Sequence, residues 1–264
     1  MTAAAGAVSA LKLLPYGLVS SSTSDPGPTL AGSLEFAKRR LGASAAHAID
    51  RKGSRLRRMK HSVLTAARLT DEQLRRGSFR YHAVMVTLTY EVGQTWHRRN
   101  LSSFLHRVRQ WHKGHGKKMN YVWTAEMQKR GEVHYHVVFW MPSGLTLPKP
   151  DRKGWWNHGM SNVMPCKTGV GYIAKYASKG AEGPAFPRGV RIHGQGGLDH
   201  EGKRIARWWR SPSEAREFFG TDADIRAVKG GRFDLKTGLF WRSPWRIIFV
   251  WGQPHMFKIE GVLQ

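Results

Sequence analysis

The chain has 264 residues, with 43 Lys or Arg against 18 Asp or Glu, a formal net charge of +25 and a sequence pI near 10.9. Such an excess points to a polyanion, because phosphate neutralisation with counterion release gives affinity without any base contact. No stretch is apolar over the length that a bilayer-spanning helix needs, which argues against a membrane as that partner, and the single cysteine, Cys166, excludes an internal disulfide framework and fits a reducing cytosol.

Residues 1–45 are rich in Ala, Ser, Gly and Pro and read as a weakly ordered extension. Ala7 to Ser20 faintly resembles a signal core, but no basic segment precedes it and Lys12 and Pro15 interrupt it. Residues 46–78 form a basic, helix-prone segment in which Arg55, Arg57 and Arg58 are candidate DNA contacts; a solvated charged face is the plainer reading. Residues 79–264 read as one domain. Tyr81 to Tyr90 has the composition of a central strand, and Leu101, Phe104, Leu105, Val108 and Trp111 repeat at helical spacing. Residues 142–165 read as a loop or flap, and 181–203 as a Gly-rich loop. A short helix over 211–219 and a final strand over 245–251 follow.

Between these lies the stretch that organises the chain. Tyr121–Met127 and Val133–Trp140 are strand-like, and Lys129-Arg130-Gly131 suits a three-residue hairpin loop whose last residue has positive φ. This loop sets Gln128 opposite Glu132, Glu126 opposite His134, and Thr124 opposite His136. Strand alternation then puts His134, His136 and Glu126 on one face, the outline of a metal site. Histidines on a solvated face, with a carboxylate as a salt-bridge partner, give the same pattern. Lys129 and Arg130 at the loop are further candidate DNA contacts. Downstream, Thr168 is placed to cap a helix that Gly180 ends. On that helix Tyr172 and Tyr176 form one row and Lys175 and Lys179 another.

Thr87-Leu88-Thr89, His134-Tyr135-His136 and Tyr172-x-x-Lys175-Tyr176-x-x-Lys179 thus stand in a fixed order. In these motifs the sequence resembles the rolling-circle replication initiators of the HUH endonuclease superfamily, encoded by small single-stranded DNA phages and plasmids. The paired tyrosines are similar to the two-tyrosine microvirus-type members. The likeness covers about residues 80–180 and departs from the family at Tyr135, where a bulky aliphatic residue is usual.

The resemblance implies an α+β fold: a central antiparallel sheet of about five strands, near 81–90, 119–127, 132–141, 245–251 and 232–241, with helices mainly on one face. It implies nicking and rejoining of single-stranded origin DNA through a covalent phosphotyrosine. Tyr172 and Tyr176 are the implied nucleophiles, with Tyr176 favoured if one acts alone. Lys175 and Lys179 are auxiliary cations, and His134, His136 and Glu126 hold Mg²⁺ or Mn²⁺. It further implies a host helicase as partner and the cytoplasm of a bacterial host as the setting. A relaxase is disfavoured because its tyrosine precedes the histidines. A single-strand transposase with this motif order remains an alternative, as does a non-catalytic nucleic-acid-binding regulator on the same fold.

Overall fold

The computed structural model describes residues 29–77, 80–179 and 186–261, with the side chain of Lys179 outside the description. The chain divides into two compact units. The first takes residues up to Asp50, Val228–Arg232 and Phe240 onward, and the second takes Arg51–Ala227 and Phe233–Leu239. Among the described residues no helix is long and apolar enough to cross a membrane.

In chain order the elements of the first half are α1 (Leu30–Leu41), β1 (Ala43–Ala48), α2 (Arg51–Arg75), β2 (Tyr81–Thr89), α3 (Asn100–Gly114), β3 (Asn120–Met127) and β4 (Val133–Pro142). There follow β5 (Ser161–Cys166), α4 (Gly169–Lys179), β6 (His193–Gly196), α5 (His200–Trp209), α6 (Ser213–Phe219), β7 (Ile225–Val228), β8 (Gly231–Asp234), β9 (Phe240–Arg242), β10 (Trp245–Val250) and β11 (Gln253–Ile259).

The fold is α+β, and the second unit is built on a five-stranded antiparallel sheet in the order β5-β2-β4-β3-β6. β4 is the central strand and is buried at all of its positions, which is why His-Tyr-His-Val-Val-Phe-Trp shows little polar alternation. On the face that carries Tyr135, Val137 and Phe139, α3 supplies Phe104 and His112, both packed against the Phe139 ring. α2 and α4 cover the opposite face, which carries His134, His136, Val138 and Trp140. There the Trp140 indole donates to Asp71 of α2 at 3.1 Å, and Thr124 donates to Met59 Sδ at 3.2 Å.

The hairpin register matches the sequence reading: Glu126 pairs with His134 and Thr124 with His136. Gly131 has φ 96°, and the loop is closed by Gln128 N–H donating to the Glu132 carbonyl at 2.9 Å. Two strands of the sheet differ from expectation. The outer places go to β5 and β6, out of stretches read as loops, and not to 245–251 and 232–241. Nor do residues 142–165 form a flap: Trp156 is 1 % exposed and its indole donates to the Thr89 carbonyl at 3.1 Å, while Asp151 and Ser161 bond to each other.

β10 instead lies in the first unit, in a three-stranded sheet ordered β1-β11-β10, with Ala37 of α1, Val250 and Phe257 as its core. Of the stretch 1–45 read as a weakly ordered extension, residues 1–28 lie outside the described residues, and the remainder forms α1 and enters β1. β7, β8 and β9 make a separate meander, so 232–241 contributes to strands, but not to the five-stranded sheet.

Candidate active site

The site is assembled where β2, β3 and β4 run side by side and α4 crosses them. Thr87 of β2 pairs with His136 of β4, which pairs in turn with Thr124 of β3. Residues opposed in this way share a face, so Thr87, His134, His136, Thr124 and Glu126 all point toward α4. Gly169, the first residue of α4, lets the helix start against the sheet. A Cβ there would lie 2.8 Å from the Trp140 ring and 3.1 Å from Val138. Thr168 caps the helix, its hydroxyl accepting from Gly171 N–H at 3.3 Å, and Ile173 and Ala177 are the buried anchors. Gly180, read as the helix stop, lies outside the described residues.

His136 is held on three sides. Its Nε2 donates to Glu126 Oε2 at 2.9 Å, its Nδ1 and the Thr87 hydroxyl are 3.2 Å apart, and the Tyr176 ring stacks on it with centroids 3.7 Å apart and planes at 21°. With Nε2–H given to the carboxylate, Nδ1 accepts from Thr87. The sequence reading gave Thr87 only a place in a motif. Its orienting role could have been read from the register, since a hydroxyl directly opposite an imidazole is within its reach.

His134, 8 % exposed, differs sharply. Its Nε2 is buried without a hydrogen-bond partner among the described residues. Burial, then the charges of His136 and Arg130, lower its pKa to about 4 against an opposing pull from Glu126, so the imidazole is neutral and its lone pair available at physiological pH. Burial raises the Tyr176 phenol above its usual range, and Glu126, Tyr172 and the Cys166 thiol push the same way. Lys175 Nζ stands 5.8 Å from the Tyr176 ring centre. Tyr172, one turn earlier, is partly buried against the core.

Among the described residues no three His, Cys, Asp or Glu side chains already converge as a metal cluster. The donor types nevertheless fit a divalent cation. His134 offers an orphaned buried nitrogen, and the 2.9 Å between His136 Nε2 and Glu126 Oε2 is near the ~3 Å that separates adjacent ligands of an octahedral ion with bonds of about 2.1 Å.

Residues 83–181 match a family model described as a replication-associated protein of the ORF2 type. The match supports a replication initiator and a role in DNA replication. It spans fewer than half of the 264 residues and contains all three motifs. No curated protein matches the chain, and no solved structure does.

The candidate DNA contacts separate into two kinds. Arg57 and Arg58 are exposed on α2, and Lys129 and Arg130 are exposed at the hairpin loop. Arg130 also donates to the Tyr90 carbonyl at 3.2 Å and pairs with Glu132 at 2.8 Å, so part of its task is to brace the loop. Arg55 is more inward. It donates to the Val190 carbonyl and lies over the Phe186 ring at 5.6 Å, which ties α2 to the segment before β6.

Proposed function

We propose that the chain is a rolling-circle replication initiator that cuts and rejoins single-stranded origin DNA through a phosphotyrosine on α4. The observation that carries this reading is the Tyr176 ring stacked 3.7 Å from the His136 ring, which sets a nucleophilic hydroxyl beside the histidine–glutamate donors. When bound by His134, His136 and Glu126, Mg²⁺ or Mn²⁺ supplies Lewis-acid polarisation of the scissile phosphate. Thr87 holds His136 in the orientation that ligation requires. Tyr176 attacks phosphorus: its oxygen–phosphorus bond forms as the bond to O3′ breaks, the phenol proton leaves to solvent, and O3′ departs as a hydroxyl. Lys175 lowers the cost of negative charge near the phenol, which the buried, proton-retaining setting of Tyr176 otherwise opposes. Reversal by a DNA hydroxyl rejoins strands without a nucleotide, because the phosphotyrosine retains the bond's energy. Tyr172 stands one helical turn, about 5.4 Å, from Tyr176 and is the second acceptor in a two-tyrosine cycle.

Incubation of the protein with labelled single-stranded origin DNA and Mn²⁺ tests the proposal. A denaturation-resistant protein–DNA adduct that chelator abolishes is expected. An adduct formed equally well in chelator removes the metal assignment, and cleavage without any adduct removes the tyrosine.

A further inference from the structure

Three cavities in the second unit, all away from the Tyr176–His136 pair, share walls. One of about 350 Å³ lies between α2 and the end of α5, lined by Arg57, Arg58, His61, Trp209 and Arg210. A second, of about 130 Å³, shares Ser62 and Arg210 with it and reaches His193 and Arg191 at β6. A third, of about 440 Å³, shares Arg191 and Gln195 with the second. It opens against Tyr121, Trp123 and Tyr135 on the sheet face opposite the histidines, with Arg98, Arg99 and Arg109 around it. We propose that the three form one continuous track for single-stranded DNA, passing round edge strand β6 from the histidine face to the opposite face.

The charge is the first argument. Seven arginines line the track, and among the described residues no Asp or Glu does. A guanidinium fork matches a phosphate in two parallel hydrogen bonds, so such a lining selects phosphodiester over a generic anion. The second argument is topological. Among the described residues β6 pairs only with β3, so no further strand there closes the route round its edge.

Third, the local sequence shapes the path. His193 and Gln195 fall on one face, while Gly194 and Gly196 fall on the other, where the Trp123 and Tyr121 rings lie across them. A Cβ at Gly194 would meet Trp123 at 2.5 Å, and one at Gly196 would meet Tyr121 at 2.3 Å. The edge strand is thereby thinned against the third cavity. Half-buried Trp96 at one end and Trp209, 45 % exposed, at the other offer ring faces to unpaired bases.

The middle of the track is an unmet cation cluster. His193 Nδ1 is buried without a hydrogen-bond partner among the described residues, with Arg191, Arg210, Arg55 and Arg58 acting on its ring. His193 is two strands from His136, since Thr124 pairs with both, a separation of about 10 Å at the usual strand spacing. DNA leaving the cutting site can therefore enter the track directly. The track rests on the single-stranded DNA reading above and deepens it by assigning where the uncut length of the strand is held.

The test is fluorescence anisotropy with the full chain in chelator, using oligothymidylates of about 6 and about 24 nucleotides, lengths that bracket a typical single-strand site. Wild type should gain affinity with length. The variant Arg98→Ala/Arg99→Ala/Arg191→Ala should lose most of that gain, about 10-fold or more, with a log–log salt slope shallower by about 2, from roughly 0.7 per phosphate contact. The corresponding triple Lys variant should recover most of the affinity, which separates lost charge from lost fold. Wild-type affinity and slope in the alanine variant, an equal loss at both lengths, or tighter binding of oligouridylate than oligothymidylate would overturn the track. Failure of the cutting reading shows separately: length-dependent binding with no adduct in Mn²⁺ leaves the track standing and removes the nuclease.

Discussion

Two histidines that stand two residues apart are prepared for different tasks by their neighbours. His136 is fixed by Thr87, Glu126 and Tyr176, and His134 keeps a buried, unsatisfied nitrogen. Leaving such an atom unpaired costs about 1–3 kcal/mol, which is tolerable where the atom has a ligand to bind. His134→Ala and His136→Ala should each abolish the DNA adduct while single-stranded DNA affinity, carried by distributed arginines, stays within about 2-fold in an anisotropy titration. Thr87→Val keeps the shape of the side chain and removes the hydroxyl. It should weaken Mn²⁺ affinity and adduct yield by about 10- to 100-fold, and excess Mn²⁺ should restore part of the yield; an unchanged Mn²⁺ isotherm would show that Thr87 does not orient His136. The depressed pKa values also set a pH dependence. In metal-free protein His134 and His193 titrate near 4 when folded and near 6.5 when unfolded. The unfolded chain therefore binds more protons between these values. Stability is full above pH ~6.5 and falls as the pH drops toward 4, by about 3 kcal/mol per histidine. His193→Gln should flatten that fall in thermal melts, and a profile identical to wild type would contradict the assignment.

At the scale of elements, the hairpin was legible because its information is local: a Gly at the one position that needs positive φ, and β-branched or aromatic residues on both sides. Its register then followed by counting. The outer strands were not legible, for reasons each strand shows. β6 is His-Gly-Gln-Gly, with no strand-favouring residue, because its glycines make room for the Trp123 and Tyr121 rings; a tertiary contact wrote that sequence. β5 contains Pro165, which a central strand would reject and an edge strand accepts, and among the described residues β5 pairs with β2 alone. The reading of 245–251 as a strand was sound as local structure, but nothing in Trp-Arg-Ile-Ile-Phe-Val names its partner, which is β11. The tyrosine helix depends on one close approach, at Gly169. Gly169→Ala should push α4 from the Trp140 ring, lowering adduct yield by about 10-fold or more through a displaced Tyr176 while DNA affinity is retained. Wild-type yield from this variant would mean that the Tyr176 position tolerates a shifted helix.

At the scale of the whole molecule, a net charge of +25 pointed to a polyanion but not to where it binds. The sequence singled out the basic run of α2 as a contact surface. In the structure the same helix buries Met59, Val63, Ala66 and Ala67, so removing it would remove core together with charge. Substitution is the cleaner probe. Arg57→Ala/Arg58→Ala should leave the melting temperature within about 2 °C and make the salt slope of single-stranded DNA binding shallower by about 1.4. An unchanged slope would mean that this face of α2 touches no phosphate.

The central claim is that Tyr176, stacked on His136, is the residue that takes the DNA. Protease digestion of the denatured adduct, followed by mass spectrometry of the nucleotide-bearing peptide, reads that residue directly. The account predicts phosphodiester mass on Tyr176 after a single cut of a short origin oligonucleotide, with no adduct from Tyr172→Phe/Tyr176→Phe. Linkage found only on Tyr172, linkage to any residue outside α4, or strand cleavage that leaves no nucleotide on the protein would contradict it.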